Sequence, residues 1–117
     1  MSAIPSLTQP LWAVTPEKIA EAVRRIVAAA HPVRVILFGS QARGDAGRDS
    51  DMDLVVVERN VPDRYAEMVR LHQVLRGLIL PVDILVIGER DFDEWADTPG
   101  SVYRDVLREG KVLYETA

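Results

Sequence analysis

Three short stretches of this chain carry residues whose types and spacing could do chemistry: Gly39-Ser40, the Asp51-Met52-Asp53 triplet and the isolated Asp83. Gly39 closes the apolar run VRVILF, so a buried strand is expected to end there and a helical turn to begin at Ser40. Unpaired backbone N–H groups at such a turn favour an anion, glycine lets a phosphate approach the backbone, and the Ser40 hydroxyl adds a donor. Neither GxGxxG nor GxxxxGK[ST] is present, which excludes the Rossmann and P-loop forms of a phosphate cradle.

Asp51 and Asp53 head the run MDLVVV. On a strand, the period of two turns both carboxylates to one face, roughly 6.6 Å apart along the backbone. Met52, Leu54 and Val56 then face the other way, and Val55 and Val57 continue the aspartate side into apolar packing. Asp83 stands near the start of a third apolar run, VDILVIG, where an unpaired buried charge would be costly. If that strand lies beside the second, about 4.8 Å away, the three carboxylates face one cleft as an all-oxygen site. Mg²⁺ is its natural occupant. Two ions about 4 Å apart would hold a nucleotide's phosphates, with Asp51 and Asp53 on metal and triphosphate and Asp83 nearer an incoming hydroxyl, whose proton it could accept.

Each feature alone has a plainer meaning. A Gly-Ser after a strand is commonly a turn, and an Asp-x-Asp a solvated strand end. Arg43 and Arg48 either touch phosphate or neutralise the neighbouring aspartates, Ser50 either touches phosphate or caps the turn, and Asp45 and Asp49 read as loop charges. His31 and His72 have no partner at helical spacing and read as packed or half-exposed helix residues.

Together, Gly39, Ser40, Ala42, Arg43, Gly44, Ser50, Asp51, Asp53 and Leu54 reproduce the signature GSxARGxxxxxSDxDLxV. The chain thus resembles the minimal nucleotidyltransferases of the DNA polymerase beta-like superfamily, from about Thr15 onward. The resemblance implies a single-domain α/β (α+β) fold, a mixed sheet flanked by helices, with metal-dependent transfer of a nucleoside monophosphate, AMP from ATP, to a hydroxyl. It assigns Asp51, Asp53 and Asp83 to catalysis and metal, and Gly39, Ser40, Arg43 and Ser50 to the nucleotide. Members of this kind often pair with HEPN-domain proteins as the antitoxin of a toxin-antitoxin module, and some modify a tyrosine of that partner. Relatives that act on aminoglycosides add a helical domain that is not expected here. The rival expectation is a catalytically idle module that masks its partner by contact.

The rest of the chain must position those residues. With 117 residues, 48% hydrophobic and 27% charged, one domain with one modest core is expected. A net charge of -4 argues against a nucleic-acid backbone as main partner. The lack of cysteine excludes disulfides and thiolate zinc sites, and with neither a signal sequence nor a membrane span, a cytoplasmic location is the default.

Residues 1–14 read as an extended leader and 15–117 as the domain, with Trp12 packed into the core or set on a partner. Thr15 and Pro16 open a helix whose apolar face is Ile19, Ala22, Val23, Ile26, Val27 and Ala30, ending by His31-Pro32. Strands are expected at Val33 to Phe38, Met52 to Val57, Val82 to Ile87 and Val112 to Tyr114, with Glu58 to Asn60 leaving the second and the third covered on both faces. A second helix from Pro62-Asp63 should turn Tyr65, Met68, Val69, His72 and Leu75 inward. DFDEWAD should form a short helix packed down by Trp95, and Thr98-Pro99 should open a last helix ending at Gly110.

Overall fold

The computed structural model describes residues 11–39, 42 and 51–116. Its elements run α1 (Pro16–Ala30), β1 (Arg34–Phe38), β2 (Met52–Glu58), α2 (Arg64–Val74), β3 (Val82–Gly88), α3 (Glu89–Ala96), α4 (Val102–Glu109) and β4 (Lys111–Glu115). The strands form one mixed sheet in the order β3-β2-β1-β4. β1 is antiparallel to β2 and β4, whereas β2 and β3 are parallel. The expected α+β architecture is present.

The alternation of β2 decides what lies on each face. Met52, Leu54 and Val56 are fully buried with Ala22 and Ile26 of α1 and Leu71 of α2. Val55 and Val57 pack on the opposite side with Ile36, Ile87, Phe92, Ala96 and Val106, under α3 and α4. Burying each such aliphatic side chain contributes about 1.5–3 kcal/mol, so a strand packed on both sides is a firm platform for what sits at its start.

Helix α1 begins as its residues require. The Thr15 hydroxyl accepts from the Lys18 backbone N–H at 3.2 Å, Pro16 takes the first turn, and His31 ends the helix in the left-handed region at φ 48°. Asp63 caps α2 by accepting from the Ala66 N–H at 3.0 Å. The face of α2 differs from expectation: Leu71 and Leu75 are buried with Met68 packed beside them, while Tyr65 is 72% exposed and Val69 and His72 face out. Two apolar stripes about 100° apart run along this short helix, and its spacing alone does not say which one meets the sheet.

Other corrections share that cause. Phe92 and Ala96, four apart, face the sheet, so Trp95 falls off that stripe and is half exposed. Trp12 is half exposed as well, so core packing is not its main role. The last helix starts later than expected, because the Thr98 hydroxyl donates back to the Glu94 carbonyl and Ser101 is the N-cap, accepting from the Tyr103 N–H. Gly110 does follow that helix, where a Cβ would come within 2.4 Å of the Val106 carbonyl oxygen. Glu58 stays in β2 and is 9% exposed instead of leaving the strand.

β3 is an edge strand covered on both faces over only part of its length. Ile84 and Val86 are buried on the α2 side and Ile87 on the α3 side, but Asp83 and Leu85 are exposed because α3 and α4 cover only the distal half of that face. Arg64 crosses the free edge, donating from Nε to the Val86 carbonyl at 2.8 Å and from Nη2 to the Tyr103 hydroxyl at 3.1 Å. The expected leader falls, for residues 1–10, outside the described residues. No helix among the described residues is long and apolar enough to cross a membrane.

Candidate active site

β2 carries the site because both of its neighbours present a matching residue. Asp53 is in register with Phe38 of β1 and with Asp83 of β3. Directly paired residues point to the same side of a sheet, so the Asp53 and Asp83 carboxylates share one face, on the side α3 and α4 leave open. Asp51 lies just ahead of β2, exposed at the lip of that face.

Burial, then the charges of Asp83 and Asp51, push the Asp53 carboxyl above the usual carboxylate range. Among the described residues, however, no three acidic or histidine side chains come close enough to hold a metal ion as they stand. The expected convergence of Asp51, Asp53 and Asp83 is therefore incomplete. Like charges with no cation between them splay apart, and the shared face leaves side-chain rotation as the movement needed to close the set. Oxygen-only donors, two of them exposed and the third already strained by its neighbours, fit a hard divalent cation. They do not fit a softer metal.

Gly39 belongs to the same corner. It ends β1 at φ +81°, a conformation that disfavours any side chain, and a Cβ there would sit 2.7 Å from Asp53 Oδ2. The carboxylate of Asp53 thus lies against the backbone of the turn. The Ala42 N–H donates to the Gly39 carbonyl at 3.1 Å, closing a helical turn right after the strand, as a phosphate-facing corner requires. Ser40, Arg43 and Ser50, like Asp45, Arg48 and Asp49, lie outside the described residues.

Below the aspartates a cleft of about 300 Å³ runs between the sheet and α4, with Phe38, Asp53, Asp83, Leu85, Val102 and Tyr103 among its walls. Sequence reasoning missed the α4 wall. Its only signal was the unused apolar stripe Val102-Tyr103-Val106. Tyr103 is held by Arg64 on one side and meets the edge of Phe92 at 6.0 Å on the other.

This arrangement has relatives. The Nucleotidyltransferase domain family model matches residues 16–115. The chain belongs to the nucleotidyltransferase domain family. A "Putative protein adenylyltransferase" of Methanocaldococcus jannaschii is 33% identical over 81 residues, spanning 69% of this chain and 77% of that protein. Another protein of the same name and organism is 46% identical over 48 residues, which make up 41% of this chain but only 31% of the relative. In three dimensions, a "putative minimal nucleotidyltransferase" superposes with a TM-score of 0.54 at 27% identity, over 91% of this chain and 98% of the other. A chain of a toxin-antitoxin structure with AMP-PNP shares the fold at a TM-score of 0.60 and 23% identity, over 88% of this chain and 75% of that one.

Proposed function

We propose that this protein transfers a nucleoside monophosphate, AMP from ATP, to a hydroxyl acceptor, with Asp51, Asp53 and Asp83 as its catalytic and metal-binding set. The observation that carries the reading is the parallel register of Asp53 and Asp83 beside the Gly39 corner. Membership of the nucleotidyltransferase family and relatives named as protein adenylyltransferases support it. Asp51 and Asp53 hold Mg²⁺, two ions in the full site, with Asp83 completing the set. When bound, the ions neutralise the phosphates and lower the barrier to attack by the hydroxyl. Ser40, Arg43 and Ser50, with the backbone after Gly39, hold the triphosphate.

Asp83, on the exposed strand, faces the side from which an acceptor arrives. Its carboxylate takes the hydroxyl proton as the acceptor oxygen bonds to the α-phosphorus, and the bond from that phosphorus to the bridging oxygen breaks to release pyrophosphate. The acceptor we favour is a tyrosine of a HEPN-type toxin, which makes this chain its antitoxin in a module like that of the toxin-antitoxin structure with AMP-PNP. The protein's place is then the cytoplasm.

Incubation with α-labelled ATP and Mg²⁺, with and without the co-purifying partner, tests this. Label on the partner that vanishes in Asp53→Asn is the expected result. Neutralisation of the partner by Asp53→Asn at full strength, with no label transferred by the unaltered chain, would replace transfer by masking through contact.

A further inference from the structure

At the other end of β2 lies a second acidic site that the proposed reaction does not use. Glu58 is 9% exposed, and its Oε2 is shielded from solvent with no hydrogen-bond partner. It borders a cavity of about 290 Å³ together with Glu67, Asp63 and Asn60. The nearest cation is committed elsewhere. Arg70 donates to both Glu67 oxygens at 2.7 Å and to the Ala29 carbonyl at 3.2 Å.

A buried carboxyl oxygen without a donor is costly, so this pocket lacks one specific thing: a group that brings N–H donors and positive charge to Glu58. Its walls narrow the choice. Val61 and Pro62 line the same cavity and offer apolar contact for an alkyl stem, while the carboxyls gather at one end. A divalent metal suits it less well, because Arg70 already occupies Glu67 and no metal-holding group of three forms among the described residues.

We infer that the Glu58–Glu67 cavity binds a primary alkylammonium group, with its head on Glu58 and its stem along Val61 and Pro62. The group comes either from a free polyamine or from a lysine side chain. Without it the site holds a proton instead. Burial, then the neighbouring Glu67, push the Glu58 carboxyl up to about 8, against the opposing pull of Arg70. Glu67 itself is held low, chiefly by Arg70. Asp63 faces the cavity from the loop, and β3 contributes only Gly88 in register with Glu58, so no further cation competes. Binding is therefore an exchange: the protonated Glu58 carboxyl releases H⁺ to solvent as the ammonium docks on its carboxylate.

The test is titration calorimetry of the full chain with n-butylammonium chloride at pH 7, in two buffers of different ionisation enthalpy. Saturable one-to-one binding with release of about one proton is expected. Glu58→Gln, isosteric with the protonated acid, should weaken binding by at least about tenfold, and tetramethylammonium, which has charge but no N–H donor, should not bind. Asp63→Asn keeps a good helix cap and should weaken it by about two- to fivefold, guarding against a Glu58→Gln variant that does not fold. Spermidine binding more tightly than Nα-acetyl-lysine amide assigns a polyamine, and the reverse order assigns a lysine side chain. Absence of saturable heat with any primary ammonium, or binding without proton release that survives Glu58→Gln, would overturn the inference.

Discussion

The two ends of β2 solve the same electrostatic problem differently. Asp53 and Glu58 lie on one strand, about 17 Å apart along it, and each is buried beside another carboxylate. At the Glu58 end an arginine and a proton supply the compensation from within the molecule. At the Asp53 end no basic side chain among the described residues is paired with Asp53 or Asp83, and the compensation has to come from outside. An acidic cluster left unbalanced at an open cleft is a place for an exchangeable cation, whereas one balanced internally is part of the scaffold.

The sharpest way to break that contrast is Asp53→Asn. If the open end works through an imported cation, this change lowers nucleotidyl transfer by at least about 100-fold in a single-turnover assay, while thermal unfolding shows the fold kept. Next in size is Gly39→Ala, which should cost about 1–3 kcal/mol in urea denaturation, from its positive φ and from the Cβ pressed on Asp53 Oδ2. Gly77→Ala has a similar φ but open space around it, so it should cost less, about 1 kcal/mol.

The internally balanced end is probed by pH. Because the folded state raises the Glu58 carboxyl from 4.5 to about 8, its protonated form contributes stability that is complete below pH 4.5 and lost as pH rises through 8. Glu58→Gln cannot ionise. Its stability relative to the unaltered chain should therefore increase between pH 5 and pH 8.5, as read by urea melts at both values. A constant difference would mean that Glu58 carries no shift. The smallest effect is expected for Asp51→Asn: apo stability equal or slightly higher, and a reduced gain in Tm on adding Mg²⁺ with ATP. Equal gains would move Asp51 out of the metal set.

The same contrast shows what the sequence makes legible. Asp53 and Asp83 could be placed because period-two alternation fixes which side of a strand a residue occupies, and each sits in an apolar run that leaves little doubt about the strand. Glu58 could not be placed. After VVV it reads as the exit from a strand, and its burial depends on α2 laying Glu67 and Arg70 over it, a contact between segments nine and twelve residues on. The outward turn of Tyr65 and Trp95 was hidden for a similar reason, since a short helix with two apolar stripes is oriented by what it docks on. Incomplete closure of the three aspartates was also beyond reach, because residue spacing fixes faces but not side-chain rotation. Ser40, Arg43 and Ser50 keep the roles the motif suggests as proposals.

Arg64 gives the cleft a further property. By occupying the outward carbonyl of Val86 while gripping Tyr103, it seals the sheet's border beside Asp83 against a visiting strand. A protein substrate cannot dock there by backbone zippering without first dislodging that guanidinium. It has to reach in with a single protruding side chain, so selection among targets would turn on how far a hydroxyl projects and not on the extended sequence around it.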